Sequence, residues 1–174
     1  MYRLFITALG LTAAVVAVGV TAAVAGDGLL PQELQEVRAA VARYHSFEQA
    51  ERDGYFIRTD EPCVASPLGT MGIHAINLAL MDDDAIDVTR PEILLYVPNG
   101  DGSLKLVGVE YWKADADQNL GTADDRPSLF GRPFEGPMPG HGNWGMPAHY
   151  DLHVWVAEEN PSGVFAMFNP AISC

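Results

Sequence analysis

The stretch Pro147-Ala148-His149-Tyr150-Asp151-Leu152-His153-Val154-Trp155-Val156 carries two of the chain's five histidines, with Asp151 between them, and runs on into apolar residues. A third histidine follows a glycine in Met71-Gly72-Ile73-His74. A single carboxylate, Glu110, interrupts the apolar run Leu106-Val107-Gly108-Val109-Glu110-Tyr111-Trp112. Imidazoles and a carboxylate placed among apolar neighbours are costly to bury unless something pairs with them. A metal ion would supply that pairing, and two or three imidazoles with one carboxylate suit Zn, Cu, Fe or Mn. His74, Glu110 and His153 are therefore read as one metal site, with His149 as a candidate fourth ligand. Ligands four residues apart share an ion readily on a helix, whereas on a strand they stand roughly 13 Å apart. The run after Leu152 is β-like, so His149 joins the site only from a bend before that strand. An open coordination position would permit metal-assisted hydrolysis or oxygen chemistry. Glu110 would then be a ligand or proton acceptor and the histidines ligands. The competing reading gives each residue its own structural role, with Glu110 paired to Arg90, Arg126 or Arg132 and His153 a satisfied core histidine.

A metal-free alternative makes His153 or His149 a general base oriented by Asp151 or Glu110. It needs a nucleophile. Ser66, Ser128 and Ser162 lie in turn-like stretches, and none sits in a Gly-x-Ser-x-Gly elbow.

A second constellation is the acidic segment Asp115-Ala116-Asp117-Gln118-Asn119-Leu120-Gly121-Thr122-Ala123-Asp124-Asp125. Oxygens at alternating positions are how a loop wraps calcium. The glycine falls one place late and Arg126 stands where a bidentate glutamate belongs, so this is not an EF-hand. A looser calcium loop using Asp115, Asp117, Asn119 and Asp124 is the alternative function. It would make the protein a non-enzymatic extracellular binding module. Trp112, Phe130, Phe134, Trp144, Tyr150 and Trp155, with Gly140, Gly142 and Gly145, would then border a pocket for a small ligand, unless they only pack a loop onto the core.

The elements that must position these residues follow from periodicity. Over 31–52, Leu34, Val37, Val41, Tyr44 and Phe47 recur at three- and four-residue spacing, which predicts an amphipathic helix. Pro31 stands near its start, Glu33 and Glu36 favour its positive end, and Asp53-Gly54 ends it. His45 falls one step off the stripe. Residues 58–72 read as a loop rich in proline and glycine, and Asp82–Asp84 as a solvated turn. Glu92–Val97 and Leu104–Trp112, joined by Pro98-Asn99-Gly100-Asp101-Gly102-Ser103, predict a β-hairpin. Strict alternation puts Leu104, Leu106, Gly108, Glu110 and Trp112 on one face and Lys105 on the other. Residues 113–147 read as a long connection, His149–Val156 as a third strand, and Val164–Phe168 as a short final strand or extended segment. A helix followed by strands argues for an α+β domain: a helix packed on a small antiparallel sheet.

Arg3, the apolar run 4–20 and Ala23-Val24-Ala25 predict a secretory signal over residues 1–25, leaving 149 of the 174 residues as a single domain, 26–174. Export places the protein outside the cytoplasm, periplasmic or extracellular, with no membrane anchor after cleavage. Cys63 and Cys174, the only cysteines, are then expected to form one disulfide. The formal charge is −13, and loss of Arg3 takes it to −14; Lys105 and Lys113 are the only lysines. Such a chain does not suit nucleic acid or anionic membranes, and does suit cations.

The set Met71-Gly72-Ile73-His74, Arg90-Pro91-Glu92-Ile93-Leu94-Leu95-Tyr96, Leu106-Val107-Gly108-Val109-Glu110-Tyr111, His149-Tyr150-Asp151-Leu152-His153-Val154-Trp155 and Asn160-Pro161-Ser162-Gly163-Val164-Phe165 resembles a group of exported bacterial proteins of unknown function. The resemblance covers most of the chain after the signal. It implies a bacterial, exported setting and brings no activity or ligand with it.

Overall fold

The computed structural model describes residues 31–174, so the expected signal over 1–25 lies outside the described residues. In chain order the elements are α1 (Gln32–Val41), a 3₁₀ turn (Ala42–His45), α2 (Phe47–Arg52), β1 (Phe56–Ile57), β2 (Val64–Ser66), β3 (Gly69–Ile76), α3 (Leu78–Asp82), β4 (Ile93–Pro98), β5 (Leu104–Ala114), β6 (Ser128–Leu129), β7 (Arg132–Pro133), β8 (Glu135–Met138) and β9 (His149–Val154). Seven strands form one antiparallel sheet in the order β1-β3-β4-β5-β9-β8, with β2 also paired to β3. β6 and β7 make a separate hairpin.

The apolar stripe does what its spacing predicts. Leu34, Val37, Val41 and Tyr44 are buried against Leu94, Tyr96, Leu106, Val109, Tyr111, Leu152 and Val154. Each of the aliphatic side chains contributes about 1.5–3 kcal/mol by leaving water. The single helix expected over 31–52 is interrupted, however. The Tyr96 hydroxyl reaches across the core and donates to the Tyr44 carbonyl at 2.7 Å. Ser46 then turns extended, and its hydroxyl oxygen accepts from the Gln49 N–H at the start of α2. A carbonyl taken by a core tyrosine and a serine cap together restart the helix in a new direction.

Three further expectations change. Residues 58–72 are not all loop: Val64–Ser66 pairs with Gly69–Gly72 as a tight hairpin, and this puts His74 on a strand. The long connection 113–147 contains β6, β7 and the edge strand β8. Val164–Phe168 is not a strand; it is held by two bonds from Trp155, its N–H to Val164 O at 2.9 Å and its indole N–H to Ala166 O at 2.6 Å. The tail continues back to β3, where Thr70 and Asn169 exchange backbone bonds of 3.0 Å. The expected Cys63–Cys174 disulfide fastens it there.

Strict alternation along β5 also fails, and the failure matters. Leu95 opposes Gly108 but Tyr96 opposes Leu106, so Val107 is an extra residue in the ladder. The bulge switches the parity. Leu106 joins Val109 and Tyr111 on the helix side, whereas Val107 and Trp112 pack with Ile93, Leu95 and Trp155 on the opposite face. Glu110, between Val109 and Tyr111, therefore faces away from α1 and α2.

Candidate metal centre

β5 lies between β4 and β9, and its register sets the site. Glu110 stands directly opposite His153 on β9 and opposite Ile93 on β4. His74, on β3, pairs with Leu95 and reaches over β4 to the same point. The position beside it on β5 is Gly108, where a Cβ would sit 2.9 Å from the Val154 carbonyl. The glycine keeps this part of the face low.

His74 Nε2 is 3.2 Å and His153 Nε2 3.5 Å from the same oxygen, Glu110 Oε2. The three ligand atoms all lie within 4.8 Å of one another, and no other trio of His, Cys, Asp or Glu among the described residues does so. The side chains of Glu110 and His153 are 6% and 2% exposed. Despite this closeness, Glu110 Oε2 and both ring nitrogens of His153 make no hydrogen bond. Two donors about 2.1 Å from one tetrahedral ion are separated by about 3.4 Å, so the spacing is that of co-ligands. Orphaned buried donors of this kind are rare in proteins and call for a partner. An ion among them fits the donor set.

The charges agree. Burial alone would push the Glu110 carboxyl up, yet the His153 and His74 imidazoles hold it down at about 2. Burial likewise opposes charge on His153, but Glu110 and Asp151 override it and raise the imidazole to about 9. Without an ion, a proton on His153 neutralises the site. With one, the metal takes the proton's place. Asp151 Oδ1 lies 3.6 Å from His153 Nδ1, too far for a hydrogen bond but close enough to add negative charge beside the imidazole. None of the arginines considered as partners reaches Glu110. Arg90 pairs with Asp87 and Asp83, Arg126 bonds the Phe134 and Gly136 carbonyls, and Arg132 stacks over Phe165.

His149 lies outside this trio. It stands opposite Ala114, four residues along β9, with no bend to bring it back. Its Nδ1–H donates to the Pro147 carbonyl at 3.0 Å and its ring stacks on Trp112. Burial lowers its proton affinity. In the acidic segment, Asp117 and Asn119 oxygens accept from the loop's own Asn119 N–H, Thr122 hydroxyl and Gly121 N–H. Asp124 is exposed. Asp115 is buried with both carboxylate oxygens unpartnered.

A cavity of about 540 Å³ opens onto His74, Glu110 and His153. Asp60, Glu61 and Asp151 also line it, which favours cations. None of the six aromatics that could have bordered a pocket lines it, although Gly142 does. Four methionines, Met71, Met138, Met146 and Met167, line it beside Val64, Ile76 and Ile93, with His141 among them. The sequence holds a signal for this wall: Met-x-x-His occurs three times, at Met71–His74, Met138–His141 and Met146–His149. Compared with protein-family models, curated proteins and solved structures, the chain finds no match, so its chemistry rests on the side chains just described.

Proposed function

We propose that this is an exported transition-metal-binding protein that holds its ion on His74 Nε2, Glu110 Oε2 and His153 Nε2. The observation that carries this reading is the convergence of two buried, unpartnered donors, Glu110 Oε2 and His153 Nε2, with the partly exposed His74 Nε2 at co-ligand separations. Three protein ligands leave positions open toward the cavity, where a bound water or small molecule would be polarised. The disulfide suits an oxidising compartment, and no described helix is long and apolar enough to cross a membrane. Elemental analysis of reconstituted protein beside His74→Ala and His153→Ala variants tests the proposal. A near-stoichiometric ion lost in both variants supports it. Wild-type protein that takes up no transition metal sinks it.

A second reading has one observation in its favour, the unpartnered buried carboxylate of Asp115, which has Asp117 and Asp125 beside it. Calcium there would raise the melting temperature equally in wild type and in His153→Ala.

A further inference from the structure

Methionine is unevenly distributed in this fold. Of the six methionines, four line one cavity, and they come from four separate segments: β3, the end of β8, the loop before β9 and the C-terminal tail. The helix-side core, built from seventeen buried residues, contains none and uses Leu, Val, Tyr and Phe instead. The cavity wall contains no Leu, Phe or Tyr, and beside the methionines its apolar residues are Pro62, Val64, Ala65, Ile76 and Ile93. If only apolar packing were required, the wall would have the composition of the core. Thioethers differ from leucine in one respect relevant here, a polarizable sulfur that ligates soft metal ions. The methionines share the cavity with two unpartnered, buried donors, Glu110 Oε2 and His153 Nε2. Two of the three Met-x-x-His pairs place both their residues on its lining, Met71 with His74 and Met138 with His141.

We infer that the ion of this site is copper, taken in its cuprous state, with His74 and His153 as nitrogen donors and the methionine wall as the source of a thioether donor. The inference rests on the proposed His74–Glu110–His153 site and adds the identity of its cargo. Imidazole accepts zinc, copper and iron alike, but thioether adds strength only for a soft ion. Glu110 supplies the negative charge that balances the cation in a buried setting. His141, 60% exposed beside Glu61, stands at the rim, where an arriving ion meets it first.

The test compares two ions on two proteins. Metal-free wild type and a Met71→Leu/Met138→Leu/Met146→Leu/Met167→Leu variant are titrated anaerobically with Cu(I) against a chromogenic chelator, and separately with Co(II), read by its visible absorption. Leucine conserves volume, so the cavity shape is retained, and Co(II) binding reports that the histidine–glutamate site has folded. The expected result is Cu(I) affinity lowered about 10- to 100-fold in the variant, the range seen when supporting groups of a metal site are removed, with Co(II) affinity unchanged. X-ray absorption of the wild-type Cu(I) complex shows a sulfur shell that the variant lacks. Cu(I) affinity equal in both proteins, or a copper spectrum without sulfur, overturns the copper inference and leaves the proposed site standing. Failure of wild type to bind either ion overturns both.

Discussion

Replacing Glu110 with glutamine puts the proposed site to its sharpest test, because the change conserves shape and removes one charged donor. Structural zinc sites with about four ligands bind with about 10–16 kcal/mol, so one ligand is worth about 3 kcal/mol, or about 100-fold in Kd. At an ion concentration about 100 times the wild-type Kd, the wild type gains about 2.7 kcal/mol of stability. The variant, then at its own Kd, gains only about 0.4 kcal/mol. In a domain of about 150 residues each kcal/mol moves Tm by about 2–4 °C. Wild type should therefore rise by about 5–11 °C on saturation and Glu110→Gln by about 1–2 °C. The assay is thermal melting with and without ion, beside direct titration of affinity. An equal rise in both proteins would refute the assignment of Glu110 as a ligand, whatever the two histidines do.

The same geometry yields four more expectations. His149→Ala should retain the ion that His74→Ala and His153→Ala lose, as read by elemental analysis. The stabilisation by metal should grow as pH rises from about 6.5 to about 9. His153, raised to about 9 when folded, stabilises the metal-free protein fully below its unfolded value of about 6.5 and ceases to as pH climbs through about 9. Glu110, held at about 2, withdraws its contribution only in strong acid. Glu92, lifted by burial to about 7 with the Glu110 charge among its further causes, titrates in the same window. Opening the Cys63–Cys174 bridge, which spans a sequence separation of 111, should cost up to about 4–5 kcal/mol on the loop-closure estimate, seen as a lower Tm in reductant. Gly72→Ala should lower both Tm and metal affinity, since Gly72 has φ +108° and a Cβ there would lie 2.5 Å from the Tyr96 carbonyl, two residues from His74.

The sequence makes some of this molecule plain and hides the rest for definable reasons. Leu34, Val37, Val41 and Tyr44 reveal their helical face because periodicity is a local property. The donors His74, Glu110 and His153 stand out because charge or imidazole in an apolar run signals compensation from elsewhere. Strands β2 and β3 are hidden behind Pro67, Gly69 and Gly72, since their pairing comes from across the sheet and not from their own composition. The bulge at Val107 has no local signature at all: alternation cannot register a residue that the partner strand leaves unpaired. It nevertheless decides that Glu110 faces the cavity and Leu106 the helices. His149 joins His153 only if a bend precedes the strand, and the sequence cannot show that the strand already begins at His149. The methionine wall escaped because its members are distant in sequence, although the repeated Met-x-x-His was there to be read.

β5 and β9 each divide their side chains between two compartments. Val109, Tyr111, Leu152 and Val154 secure the helices, while Glu110, Asp151 and His153 face the cavity. One strand thus carries two separable inheritances. On the proposed function, substitutions on the cavity face would change which ion is held without repacking the helix side, and substitutions on the helix side would adjust thermal tolerance without touching the proposed ligands. Such a scaffold lends itself to divergence of cargo under a constant architecture, and to laboratory redesign in which selectivity and robustness are tuned on alternate residues of the same strand.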